Sequence, residues 1–303
     1  MNILWRLIAI LTLQKFAVQK TYADGGRYWT EENCSPFANK QLSPINIIPK
    51  DIACDDGFFA DLHFSKNSTY QGFFSYRGDP KTLRIDIQSG TSTLYLQNKN
   101  STILRYSVRE LVFRTPSEHG YNSTVKPLEA QFFYEINESY RNYTSIHNIG
   151  VSILYNEDAS ADDESLFSAF IDMIKGLEPK ELTPKKLETP FSFIAPGFHH
   201  FSNVLQYPLK FLLYEGTKTD GNCEAGITWM ILEQEFSVTP EYVQLYRDIL
   251  HTIGEIKTNA RAVQNFHDVV VYRGGAKCSD YFPDFVLFGV TYIFLMYFIL
   301  KRV

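Results

Sequence analysis

Apolar and polar positions alternate over short stretches along most of this chain, the period-two signature of half-buried strands. Two such stretches stand close together. Tyr106–His119 and Lys126–Tyr134 are rich in β-branched and aromatic residues and are separated by the turn-like Gly120–Ser123. They read as neighbouring antiparallel strands, with Val112 and Arg114 on one face of the first and Glu129 and Gln131 on one face of the second. Thr82–Ile87, Ser92–Leu96, Ile149–Tyr155 and Val269–Tyr272 carry strand patterns as well. Ser165–Ile174 and Glu241–Leu250 read instead as helices. The acidic run Asn156–Glu164 suits the start of the first helix, and it lacks the ligand spacing and central glycine of a calcium loop. The pattern predicts a mainly β fold with peripheral helices (α+β).

Both ends break the alternation. Arg6 followed by the apolar Leu7–Leu13 and the small residues around Thr21-Tyr22-Ala23 read as a secretory signal peptide over 1–23. The polar Gln14-Lys15 stops that run short of a membrane span. An ectodomain over 24–273 and a spacer over 274–284 follow, then a mostly apolar segment over 285–300 and the cationic end 301–303. A bilayer core takes about 20 residues, so 285–300 makes a short span, with its terminal cations on the cytoplasmic side. The alternative is a lipid-anchor signal cut near Gly274-Gly275-Ala276. Either way the chain is expected at a membrane, reached through the secretory pathway, with its domain outside the cell.

Export changes how other features read. Sequons at Asn67, Asn100, Asn122, Asn137 and Asn142, with a weaker one at Asn33, become candidate glycosylation sites. Four cysteines become two disulfides with three possible connectivities. Between Asp24 and Asp284 stand 24 basic and 34 acidic residues, a net charge of −10. That balance disfavours nucleic acid and bulk binding of polyanionic chains, unless a patch such as Lys180, Lys185 and Lys186 operates locally. Arg77-Gly78-Asp79-Pro80 reads as an ordinary turn, although its first three residues spell an integrin-recognition tripeptide. His199 and His200 are neighbours on an extended chain, face opposite ways, and do not make one metal site.

Several motifs, in order, carry a family resemblance. Ser43-Pro44-Ile45-Asn46, the strand Glu110–Pro116, Ser117-Glu118-His119, the strand Glu129–Tyr134, the loop Tyr207–Cys223 and Asn259-Ala260-Arg261 with Gln264 together resemble the α-carbonic anhydrases. The resemblance runs from about Tyr28 to Arg273 and implies a carbonic anhydrase fold, a central twisted and mostly antiparallel sheet. Members of that family hold a zinc ion on three histidines, two on the first strand and one on the second. Here those positions hold Val112, Arg114 and Gln131. Valine has no lone pair, arginine brings a permanent cation, and a glutamine amide is a poor zinc donor. Without the metal no bound water reaches a pKa of about 7, so no hydroxide is available to attack carbon dioxide.

The resemblance further implies that Thr219 and Glu118 are remnants of the family's hydroxide-orienting pair, that Lys218 places a cation at the cavity mouth, and that the proton-shuttling histidine is absent. It also implies a Cys34–Cys223 disulfide, which leaves Cys54 with Cys278. The expectation is a pseudoenzyme with no zinc, serving binding or adhesion toward an extracellular protein or glycan. The alternatives are an active carbonic anhydrase with a relocated metal site recruiting His119 or His147, and an extracellular structural protein.

Overall fold

A computed structural model of the chain describes residues 22, 25–26, 29, 34, 41–54, 61–64, 70–77, 80–90, 93–97, 102–161, 166–175, 185–187, 210–264 and 269–274. Its strands are β1 (Asn46–Ile47), β2 (Ile52–Cys54), β3 (Asp61–Phe64), β4 (Tyr70–Arg77), β5 (Thr82–Gly90), β6 (Thr93–Gln97), β7 (Ile103–Arg114) and β8 (Gly120–Tyr121). There follow β9 (Thr124–Val125), β10 (Leu128–Ile136), β11 (Asn148–Glu157), β12 (Lys185–Leu187), β13 (Phe211–Thr217), β14 (Ala225–Leu232), β15 (Phe236–Val238) and β16 (Val271–Gly274). Among the described residues two α-helices accompany them, α1 (Leu166–Ile174) and α2 (Pro240–Gly254).

Among the described residues, thirteen strands form one sheet whose main path runs β12-β4-β5-β7-β10-β11-β14-β13-β16-β2. Most neighbours are antiparallel, while β11 with β14, β11 with β15 and β16 with β2 are parallel. The expected hairpin forms, with Glu129 opposite Arg114 and Gln131 opposite Val112. Between its arms, β8 and β9 make a second, tiny hairpin around Asn122 and Ser123, whose φ values of 49° and 63° are left-handed. Asparagine tolerates that conformation better than most residues, which suits a two-residue turn.

The sheet buries both faces at its centre, so β7 from Glu110 to Arg114 and β10 from Leu128 to Tyr134 are buried almost without a break. On one side Leu111, Phe113, Ala130 and Phe132 pack under α1 and α2. Helix α2 starts at Pro240, whose missing N–H falls in the first turn where no partner exists, and it turns Val243, Tyr246 and Leu250 inward at helical spacing. On the other side Val112 and Phe133 join Ile45, Tyr214, Ile227 and Trp229 in a smaller cluster. The polar positions of the hairpin point into this second side.

Cys34 and Cys223 are disulfide-bonded, across a separation of 189 residues. The bond sits in a small cluster with Tyr22, Trp29 and Leu42. The leader's apolar run, the 285–300 segment, Cys278, the side chain of Cys54, Asn33, Asn67, Asn100, Lys180 and His199-His200 lie outside the described residues, as do the side chains of Lys185 and Lys186. Among the described residues no helix is long and apolar enough to cross a membrane. Asn122, Asn137 and Asn142 are all exposed. Asn137 uses its side-chain oxygen to accept from the Ser139 N–H at 3.1 Å.

Candidate functional site

The strand period places Glu110, Val112 and Arg114 on one face of β7, and the register sets Phe133, Gln131 and Glu129 opposite them on β10. Arg84 on β5 lies opposite Val112 from the other side, and Ser152 on β11 lies opposite Gln131. Every one of these side chains is buried. The three positions where the family resemblance puts histidines are thus brought together, as Val112, Arg114 and Gln131.

Arg114 occupies the centre. Its Nη1 donates to the Tyr22 hydroxyl at 2.8 Å and to the Asn259 carbonyl at 2.9 Å. Its Nε donates to Gln131 Oε1 at 3.3 Å and its Nη2 to Thr219 Oγ1 at 3.4 Å. The Glu118 carboxylate stands 3.4 Å from Nε. Burial works against the Arg114 charge, but Glu118 and Tyr22 outweigh it and hold the guanidinium above its ordinary pKa. Burial pushes Glu118 up, against the pull of Arg114.

Gln131 bridges the acidic groups. Its Nε2 donates to Glu118 Oε2 at 2.7 Å and to Glu129 Oε1 at 3.0 Å, while its oxygen also accepts from Thr219 Oγ1 at 3.4 Å. Thr219 and Glu118 are adjacent, with the hydroxyl also reaching the carboxylate, but Gln131 and Arg114 bond to both of them.

Glu129 accepts from the backbone N–H groups of Glu118 (2.7 Å) and His119 (3.0 Å). Its Oε1 meets His119 Nδ1 at 2.7 Å and accepts from Ser152 Oγ at 2.8 Å. Burial opposes its ionisation, yet His119 and these donors bring its pKa down to about 2. His119 Nε2 meets the Tyr214 hydroxyl at 2.7 Å, and that hydroxyl donates to Ser43 Oγ at 2.9 Å. Both ring nitrogens of His119 are therefore engaged. His147, the other candidate for a relocated metal, bonds the Thr144 carbonyl through Nε2 at 3.1 Å, away from this cluster.

Lys218 is partly exposed, with Nζ 4.9 Å from the centre of the Phe133 ring. Its charge does not stand alone. Glu110 accepts from Arg84 at 2.7 Å and lies 3.6 Å from Lys218, while Asp220 lies 3.5 Å from Arg84 and 4.0 Å from Lys218. The cations of this region are matched by carboxylates that sequence reading left unassigned. Alternation alone would have put Glu110 on the face of Val112 and Arg114, whereas the partnership of Arg84 and Asp220 depends on tertiary placement.

These residues do not fit a zinc ion. Val112 offers no donor, Arg114 puts a guanidinium where a cation would bind, and the Gln131 amide is committed on both ends. Among the described residues no cluster of three histidine, cysteine or carboxylate side chains could hold a metal. The arrangement is a buried, charge-paired hydrogen-bond network.

Comparison with known proteins agrees with the fold. The model of the eukaryotic-type carbonic anhydrase family matches residues 24–274. Alpha carbonic anhydrase 8 of Arabidopsis thaliana is 25% identical over 241 residues, 77% of this chain and 53% of that protein. A carbonic anhydrase of Pectobacterium atrosepticum is 21% identical over 170 residues, 56% of this chain and 59% of its own length. The chain thus spans little more than half the length of these two relatives. A dioscorin of Dioscorea polystachya is 22% identical over 231 residues, covering 74% of this chain and 72% of its own. Among solved structures, a halotolerant carbonic anhydrase of Dunaliella salina superposes with a TM-score of 0.63 at 14% identity, over 84% of this chain and 98% of the other. Dioscorin complexed with ascorbate superposes with a TM-score of 0.59 at 19% identity, over 84% and 97%. With the family model spanning 24–274 and the fold shared across nearly the full length of these structures, the chain belongs to the eukaryotic-type carbonic anhydrase family.

Proposed function

We propose that this family member is catalytically inactive and works as a membrane-held cell-surface glycoprotein, its domain binding an extracellular protein or glycan. The observation that carries the inactivity is the seat of Arg114, whose donors reach Tyr22, Asn259, Gln131 and Thr219 at the position a metal-binding imidazole would take. A buried cation held this way repels a second cation and supplies no lone pair. Exposed sequons at Asn122, Asn137 and Asn142 and the apolar chain ends support the surface location. The dioscorin solved with ascorbate supports a binding role for the same fold. Nucleic acid is no partner on this reading, given the acidic balance of the domain.

The test is metal content and carbon dioxide hydration on the full chain purified from a eukaryotic secretory host, beside the triple variant Val112→His, Arg114→His and Gln131→His. The native chain is expected to carry no stoichiometric zinc and to leave the hydration rate at background, and the variant to take up zinc. Turnover by the native chain with one bound zinc would sink the proposal.

A further inference from the structure

The Tyr22 side chain lies inside the folded domain, although the sequence pattern ends the leader just after it. Tyr22 is 2% exposed. Its hydroxyl accepts from Arg114 Nη1 at 2.8 Å, and its ring lies 5.6 Å from the guanidinium carbon. The same ring meets Trp29 edge-on at 5.9 Å, beside the Cys34–Cys223 bond. Its backbone matters too. The Tyr22 carbonyl accepts from the Gly25 N–H at 3.0 Å, closing a turn that ends at Gly25, which like the following Gly26 is at positive φ. That turn is docked in turn, because the Gly25 carbonyl accepts from the Ala262 N–H.

A cut after Ala23 would remove Tyr22 and every one of these contacts that it makes, its carbonyl bond to Gly25 included. Arg114 Nη1 would keep only the Asn259 carbonyl, and a void the size of a phenol would open among buried groups. Tyr22, Gly25, Glu118 and Arg261 line one 260 Å³ cavity, so these groups share a wall.

We infer that the mature, exported chain retains Tyr22, the leader being removed on its amino side, within residues 14–21, or kept. That stretch follows the apolar Leu7–Leu13 run and contains the small residue Ala17. The inference rests on the reading that the chain is exported, and it assigns Tyr22 to the domain as the residue that completes the Arg114 seat.

The experiment is N-terminal peptide mass spectrometry on the full chain recovered from the surface of a eukaryotic host, run with and without enzymatic deglycosylation. A glycan-bearing product whose first peptide contains Tyr22 is the expected result. A glycan-bearing product beginning at Asp24 overturns the inference and leaves the export reading standing. A product that retains Met1 and shows no mobility shift on deglycosylation overturns the export reading, and the inference with it. Ala23→Leu, which blocks a cut after position 23, gives a second readout. The first peptide is expected to start at the same residue as in the native chain, and a changed start overturns the inference. Tyr22→Phe is expected to lower the thermal midpoint of the full chain by roughly 5 °C, and much less in an Arg114→Met background. Equal shifts in the two backgrounds would show that Tyr22 is not engaged with Arg114.

Discussion

At the scale of single residues, the site is governed by one substitution with many partners. Arg114→Met removes the ion pair that the fully buried Glu118 carboxylate makes at 3.4 Å, and is expected to lower unfolding free energy by roughly 3–5 kcal/mol. Adding Glu118→Gln should restore part of that loss, measured by chemical denaturation of the single and double variants. Glu129 supports a pH prediction. Its folded pKa of about 2 lies below its ordinary 4.5, so its stabilisation is present above about 4.5 and is lost as pH falls toward 2. Glu129→Gln should therefore lower the thermal midpoint at neutral pH, by an equivalent of about 3 kcal/mol, and the difference from the native chain should shrink through that acidic window. The identity of the three substituted positions was legible from the sequence, because strand alternation and motif order locate Val112, Arg114 and Gln131 without coordinates. What fills the space was not. Tyr22, Asn259 and Arg84 reach the hairpin from 92, 145 and 26 residues away, and no local period reports such meetings.

At the scale of elements, the hairpin β7–β10 depends on what its neighbours omit. Gly150 on β11 pairs with Trp229 on β14, and a Cβ at Gly150 would stand 2.7 Å from the indole ring. That ring is pinned by an N–H bond to the Thr217 carbonyl at 2.9 Å and by His119 and Phe133 at its faces and edges. Gly150→Ala is thus expected to destabilise by about 1–3 kcal/mol through overpacking. A thermal melt checks this, with the near-ultraviolet tryptophan signal reporting the displaced ring. Strand and helix patterns predicted β5, β7, β10, β11, α1 and α2 to within a few residues. They did not predict that β11 runs parallel to β14, since strand direction is set by connections outside any one strand's pattern.

For the whole molecule, the disulfide joins the two distant stretches that flank the site. Cys34 and Cys223 hold Tyr22 and Trp29 against the loop that carries Thr219 and Asp220. Replacing both cysteines by serine should cost about 2–5 kcal/mol, read as a lower thermal midpoint and altered Trp29 fluorescence. Reductant should shift the native chain by at least as much, and the variant by less. The resemblance implied this pairing from motif order, whereas the cysteine count alone left three connectivities open.

The long reach of Arg114 also bears on how the protein is made. A chain synthesised from its amino end displays the hairpin well before Asn259 and Arg261 exist, and Cys34 waits through 189 further positions for its partner. During that interval the guanidinium has no Asn259 carbonyl to bind, and on the reading that the chain is exported the one thiol already made that Cys34 could meet is Cys54. Closure over Arg114 is therefore a late step, open to the chain only once its carboxyl-terminal third has been made.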